Sequence, residues 1–149
     1  MKTVMISLLT AALLASCSNQ HIPSAKVPSV VLNTAKERHP DAAEMEWKKI
    51  GQLYEAEVKI GDSIELDMRI NEGGNLVLQK QEVTIKEVPP AVQAMVKERY
   101  PDYTIDEADM LQKDGAAYYQ LELDSKGKKD IRVVVTADGK EETGIAFWE

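Results

Sequence analysis

The chain is poor in the residue types on which catalysis most often draws. It has one cysteine and two histidines in 149 residues. One cysteine excludes an intrachain disulfide, and the Cys/His spacing of a zinc site is absent. Histidine is the commonest general base, yet His21 lies in a polar stretch near the amino terminus and His39 directly precedes a proline. No glycine-rich phosphate loop follows a predicted strand, and nothing nominates one serine as a nucleophile. Positive charge is also short: 18 Lys and Arg face 25 Asp and Glu, for a net charge of −7. That balance argues against nucleic acid as a partner, because phosphate contacts need clustered cations; the run Lys128–Lys129 reads as a solvated hairpin tip. The apolar run inside residues 1–16 is shorter than the roughly 20 residues that a membrane-spanning helix needs. These absences point to a non-catalytic protein with no cofactor.

Residues 1–16, MKTVMISLLTAALLAS, carry one positive charge at Lys2 and then an apolar stretch, the pattern of a secretory signal peptide. The stretch ends in Leu14-Ala15-Ser16-Cys17, which resembles the bacterial lipoprotein box. The resemblance implies cleavage before Cys17 and lipidation of its thiol and new amino group. Several acyl chains, at roughly 0.8 kcal/mol per buried methylene, make a near-permanent anchor. Residues 17–26 then read as a lipidated polar tether. Ser18 stands where inner-membrane retention uses aspartate, and the tether lacks an acidic run, so the expected address is an outer membrane, facing the periplasm.

The rest of the chain repeats itself. At an offset of 61, Val27, Pro28, Val31, Lys36, Glu37, Arg38, Pro40 and Asp41 recur as Val88, Pro89, Val92, Lys97, Glu98, Arg99, Pro101 and Asp102. Further on the offset drifts to 65, where Leu66, Met68, Ile70 and Gly74 meet Ile131, Val133, Val135 and Gly139. Each unit opens with a helix: a proline for the first turn, apolar residues four apart (Val31 and Ala35, Val92 and Val96), cations in the last turn, and a proline that ends it.

Strands follow. Tyr54, Ala56, Val58 and Ile60 alternate with charged residues, as do Ile64, Leu66, Met68 and Ile70. This period of two buries one face and leaves one wet. A three-residue loop, Gly61-Asp62-Ser63, keeps apolar residues opposite one another, with Val58 facing Leu66. The second unit sets Tyr119, Leu121 and Leu123 against Ile131, Val133 and Val135. A strand near 44–50 carries Trp47, whose place in the second unit falls near Leu111, and a last strand is expected near 143–148. The expected fold is α+β: two tandem helix-plus-antiparallel-strand repeats, about 27–86 and about 87–149, forming one continuous sheet with both helices on one face and one shared core. Sixty-odd residues are marginal alone, so duplication supplies core.

The order of VP, V, KER and P, a strand with Trp47, Tyr54-x-Ala-x-Val, and a strand into a glycine turn, written twice, resembles the PepSY-like family of small secreted or lipidated bacterial proteins. The resemblance covers roughly residues 27–148. It implies a fold similar to that of the β-lactamase inhibitor protein, and a role in binding or inhibiting other envelope proteins. It brings no catalytic residues with it.

The polar face of the sheet is therefore the candidate surface. The register puts Lys59 opposite Glu65, Glu55 opposite Arg69, and Glu57 opposite Asp67. The last is an acidic pair whose counterpart, Glu122 opposite Arg132, is complementary. Glu57, Asp67, Arg69, Tyr118 and Arg132 are the candidate contact residues for an envelope protein or peptide, with the membrane engaged through lipid on Cys17. The alternative is a small-ligand or cation binder using the acidic pair or the acidic stretch 102–109, although that stretch lacks the spacing of a calcium loop. Trp47 is expected in the core; Trp148 is left open.

Overall fold

In the computed structural model, residues 20–149 are described. The signal peptide expected over residues 1–16 and the lipidation expected at Cys17 both lie outside the described residues. The elements are β1 (Gln20–His21), a 3-10 turn at Ser24–Lys26, α1 (Ser29–Arg38), β2 (Ala42–Ile50), β3 (Leu53–Ile60), β4 (Ile64–Asn71), β5 (Leu76–Glu82), α2 (Pro90–Arg99), β6 (Thr104–Lys113), β7 (Ala116–Asp124) and β8 (Ile131–Thr136). All eight strands form one antiparallel sheet in chain order. Both helices lie on one face, as expected. Among the described residues no helix is long and apolar enough to cross a membrane.

The two helices start and stop alike. Pro28 and Pro89 stand at the N-caps, one place earlier than expected, and Pro90 takes the first turn of α2. Each helix ends at the residue before a proline, where the α region is disfavoured: His39 and Tyr100 sit at φ −130° and −126°. Val31, Ala35, Val92 and Val96 are buried, as their spacing requires.

The predicted register of the first hairpin is the observed one, with Ile60 opposite Ile64, Val58 opposite Leu66 and Glu57 opposite Asp67. In the second, Tyr119, Leu121 and Leu123 face Val135, Val133 and Ile131. The place of Trp47 is corrected. Trp47 pairs with Ala56, and the equivalent pair is Ala108 with Leu121. The offset of 61 holds through this part of β6, and the drift to 65 is taken up by a longer β6–β7 hairpin. Leu111 therefore turns to the opposite face.

Strand β5 has two roles. It closes the first repeat against β4 and opens the second against β6. Gln81 and Glu82 pair with Met110 and Asp109 as Gln20 and His21 pair with Lys49 and Lys48. Residues 20–26, expected as tether, thus belong to the fold, and Ile22 packs against its core.

The last strand expected near 143–148 does not form. The chain makes a single bridge, Val135 to Glu141, and then leaves the sheet. The expectation of one shared core also fails. On the helix face one apolar cluster lies under α1 and a second under α2. Between them the β5–β6 seam presents Gln79, Gln81 and Gln112, which share that face by register. A third cluster, Leu78, Leu111, Val134 and Trp148, lies on the opposite face.

Glycine turns dock each helix on its repeat. Gly74 (φ +81°) meets Val30, and its carbonyl accepts a hydrogen bond from Thr34 Oγ1 at 2.6 Å. Gly139 (φ +82°) is so close to α2 that a Cβ would lie 2.8 Å from the carbonyl oxygen of Ala91. Gly127 (φ +80°) has open space around it. Gly139→Ala is expected to cost about 2–3 kcal/mol in urea denaturation, and Gly127→Ala only about 1 kcal/mol, because both pay for left-handed backbone but only the first collides with a helix.

Candidate functional site

The face opposite the helices divides into two halves. On the first repeat it is a lattice of cross-strand charges. Glu46, Glu57, Asp67 and Lys80 form one row across β2 to β5, and Lys48, Glu55, Arg69 and Leu78 form the next. Glu55 is only 7 % exposed. Its burial is tolerable because Arg69 Nε donates to Glu55 Oε2 at 2.9 Å and Lys48 Nζ lies 3.9 Å from its other oxygen.

The acidic pair Glu57–Asp67 is compensated from outside its hairpin. Lys48 Nζ is 3.5 Å from Glu57 and Lys80 Nζ is 3.4 Å from Asp67. Within the β3–β4 hairpin alone the pair has no counter-charge; the lysines come from β2 and β5. Asp67 nonetheless has a carboxyl pKa raised above 3.8, first by burial and then by the negative charge of Glu55 and Glu57, with Lys80 opposing.

On the second repeat the face is covered by the chain itself. After Gly144 the segment crosses the sheet and buries Trp148 to 2 % exposure among Leu78, Leu111 and Val134. The side-chain amide of Gln120 replaces a strand partner for it: Trp148 N–H donates to Gln120 Oε1 at 3.0 Å, and Gln120 Nε2 donates to the Trp148 carbonyl at 3.0 Å and to Asp109 Oδ2 at 2.6 Å. Arg69 lies over the Trp148 ring, 3.8 Å from its centroid, with Lys80 on it at 5.3 Å. Arg132 pairs with Glu122 at 2.8 Å and Glu149 at 2.6 Å, and sits 5.2 Å from the Phe147 ring centre.

The five candidate residues therefore separate. Glu57 and Asp67 lie together, part-exposed, on the uncovered half. Arg69 stands at the border, over the ring of Trp148. Tyr118 packs against the third cluster and Arg132 is engaged by the crossing segment. Sequence reasoning missed this segment. The signal was an apolar line, Leu78, Leu111 and Val134, on an otherwise polar face: such residues need a cover, and Ile145-Ala-Phe-Trp148 supplies it.

Elsewhere among the described residues the reactive groups are dispersed. His39 Nε2 is 3.4 Å from Gln79 Oε1 under the end of α1, and Tyr100 in the equivalent slot donates to Glu141 at 3.0 Å, so both have structural partners. The acidic stretch 102–109 is dispersed, with Asp102 bound to Lys128 and Asp109 to Gln120. Among the described residues no group of three or more His, Cys, Asp or Glu is placed to hold a metal ion. Two grooves of about 420 Å³ open beside the seam, one walled by Gln81, Thr84 and Glu87 and the other by Arg38, Leu76 and Gln112; His39 lines neither.

Two measurements follow from this geometry. Trp148→Ala is expected to lower stability by about 3–5 kcal/mol, the range for a buried aromatic, and to raise binding of an apolar dye as Leu78, Leu111 and Val134 are uncovered. Asp67 has its folded pKa raised, so its protonated form favours the folded state. Its contribution is fully present below 3.8 and is lost as pH rises through the folded value. Asp67→Asn should therefore melt above wild type at pH 7, and the gap should close near pH 3 in paired thermal melts.

The family model described as "Putative beta-lactamase-inhibitor-like, PepSY-like" matches the chain twice, over residues 13–78 and 75–140. Solved structures share the fold. A DUF2874 family protein from Bacteroides uniformis superposes with a TM-score of 0.69 at 19% identity, covering 76% of this chain and 85% of its own. A protein from Bacteroides eggerthii described as "putative periplasmic" gives 0.69 at 17%, covering 77% and 85%. A BLIP-like protein from Bacteroides fragilis gives 0.66 at 18%, covering 77% and 82%. No curated protein matches the chain. With two copies of the unit matched along most of its length, the chain belongs to the beta-lactamase-inhibitor-like, PepSY-like family.

Proposed function

We propose that the protein is a non-catalytic, lipid-anchored binding module of the cell envelope, facing the periplasm from an outer membrane. It contacts a protein or peptide in an inhibitor-like manner through the uncovered half of its polar sheet face. The observation that carries this reading is the contrast between the two halves. One repeat roofs its polar face with Trp148; the other leaves Glu46, Glu57, Lys48 and Asp67 in ordered rows on a rigid sheet, accessible from one side. A solvated sheet needs no such well-shielded carboxylate as Glu55, held by Arg69 in the neighbouring row, whereas a docking face gains from charges held in place before binding.

The likeness to a BLIP-like protein and the family's description support an inhibitor-like mode. The neighbour described as periplasmic supports the envelope address. The surface is charged, with the aromatic Trp148 at its edge under Arg69, so a partner presenting basic side chains to Glu57 and Asp67 fits best, and association should weaken with salt.

Cross-linking capture from envelope extract tests the face: Glu57→Lys with Asp67→Lys should reduce recovery of the partner at least tenfold, since like charges then face each other across the contact. Recovery unchanged by the double reversal places the contact elsewhere. Metabolic labelling with a fatty-acid analogue tests the anchor: label on wild type and none on Cys17→Ala is expected, and an unlabelled wild type overturns lipidation.

A further inference from the structure

Strand β8 has one paired edge and one open edge. Its inner edge pairs with β7 from Tyr118 to Leu123. On its outer edge, Thr136 N–H donates to the Lys140 carbonyl at 2.8 Å and the Val134 carbonyl accepts from Glu142 N–H at 2.8 Å. Outward and inward groups alternate along an antiparallel strand. Arg132, two residues before Val134, therefore also turns its N–H and C=O outward, and among the described residues no strand lies beside it.

The first repeat has what is missing here. At the offset of 65, Leu66, Asp67 and Met68 of β4 correspond to Ile131, Arg132 and Val133 of β8, and β4 is covered along this stretch by β5. Leu66 and Met68 are 4% and 0% exposed, whereas Ile131 and Val133 are only half-buried. The chain's own next segment begins in the position of β5, at the Val135–Glu141 bridge, and then leaves. Its residue corresponding to Gln79 is Gly144, which has no side chain to cover Val133. A crevice of about 190 Å³ remains between β8 and the departing segment, walled by Arg132, Val133, Thr143 and Ile145.

We propose that the outer edge of β8, Ile131–Val133, accepts an extended segment of another protein as an added antiparallel strand. The segment carries apolar side chains opposite Ile131 and Val133 and an acidic one opposite Arg132. The first repeat supplies the charge rule: Asp67 is opposed by Lys80 of β5, and Arg132 holds the same place with the charge reversed; it is paired with Glu122 and with the exposed Glu149, and the segment's acidic side chain takes the place of Glu149. A second copy of this chain is the poorer occupant, because pairing about Arg132 sets two guanidinium groups across from each other. The charged loop before β8 and the bridge at Val135 confine the open edge to a few residues, which keeps it from templating open-ended assembly.

The test uses the peptide acetyl-Thr-Val-Glu-Val-Thr-amide with isotope-labelled protein. The expected result is slowed hydrogen exchange at the Arg132 amide on titration. Arg132→Ala keeps the N–H and should bind within about fivefold of wild type, since only one charge pair is lost. Arg132→Pro removes an N–H that faces away from β7, a substitution edge strands tolerate. It should weaken binding by roughly tenfold or more, as should methylating the peptide nitrogen of its Glu. The methylated peptide carries the test if the proline variant fails to fold. An Arg132 amide unmoved at saturating peptide, equal binding by Arg132→Pro with the plain peptide or by wild type with the methylated one, or a wild-type dimer in sedimentation that Arg132→Pro dissolves, would each overturn the proposal. The Glu57→Lys, Asp67→Lys protein should bind the peptide as wild type does, which separates this edge from the sheet face.

Discussion

The two repeats are joined across the sheet at one place, the ladder in which Gln79 to Glu82 of β5 pair with Gln112 to Asp109 of β6. Four residue pairs form a short seam, and on the helix face it is lined by glutamines and touched only by the C-terminal end of α1, through His39 and Gln79. What secures it lies on the other face. Trp148 packs on Leu78 of β5 and Leu111 of β6, one from each side of the seam, and is held by Gln120 and stacked by Arg69. Burying an indole supplies a few kcal/mol at roughly 25 cal/mol per Å² of apolar surface. That is comparable with what a four-pair ladder contributes, so the position of one repeat relative to the other depends on one side chain, that of Trp148.

The clamp also decides which half of the polar face is free. A buried tryptophan on a sheet needs its backbone polar groups satisfied. Gln120 does this with a side-chain amide that donates and accepts at the same residue, and no buried side-chain nitrogen or oxygen among the described residues lacks a partner. The same cluster draws Arg69 up onto the indole, and Arg69 in turn holds Glu55. The charged rows on the first repeat are therefore tied to the clamp on the second through a chain of contacts: Trp148, Arg69, Glu55, Lys48, Glu57. Loosening the crossing segment would free Arg69 and leave Glu55 a buried carboxylate with a weaker partner.

Much of the architecture was legible because it rests on local periodicities. Alternation fixed the β3–β4 and β7–β8 registers, and the prolines fixed the helix ends. Duplication and the family resemblance both pointed to one continuous sheet. What was not legible depends on which elements lie beside one another. The charge of Glu57 and Asp67 is balanced by lysines on the two flanking strands, β2 and β5, invisible when a single hairpin is considered. Gln20 and His21 look like polar linker until they are set against Gln81 and Glu82, whose pairing they copy. The third cluster requires Leu78, Leu111 and Val134, separated by tens of residues, to be seen as neighbours on one face. Duplication itself misled at Trp47, because the extra residues of the β6–β7 hairpin had to be placed before Leu111 was assigned a face.

The duplication also explains why one strand can serve two repeats. β5 offers one edge to β4 and the other to β6, so each repeat needs the strand that belongs to its neighbour. Such a unit has no natural end: whatever follows β8 must either supply the next strand or divert. Glycine at position 144 favours diversion, since a strand loses side-chain packing at glycine and gains entropy by leaving. The aromatic residues after it find burial on the polar face that a ninth strand would have denied them. The tail thus gains the clamp and leaves the edge, and the same substitution that frees Trp148 to hold the seam leaves Ile131 and Val133 half covered.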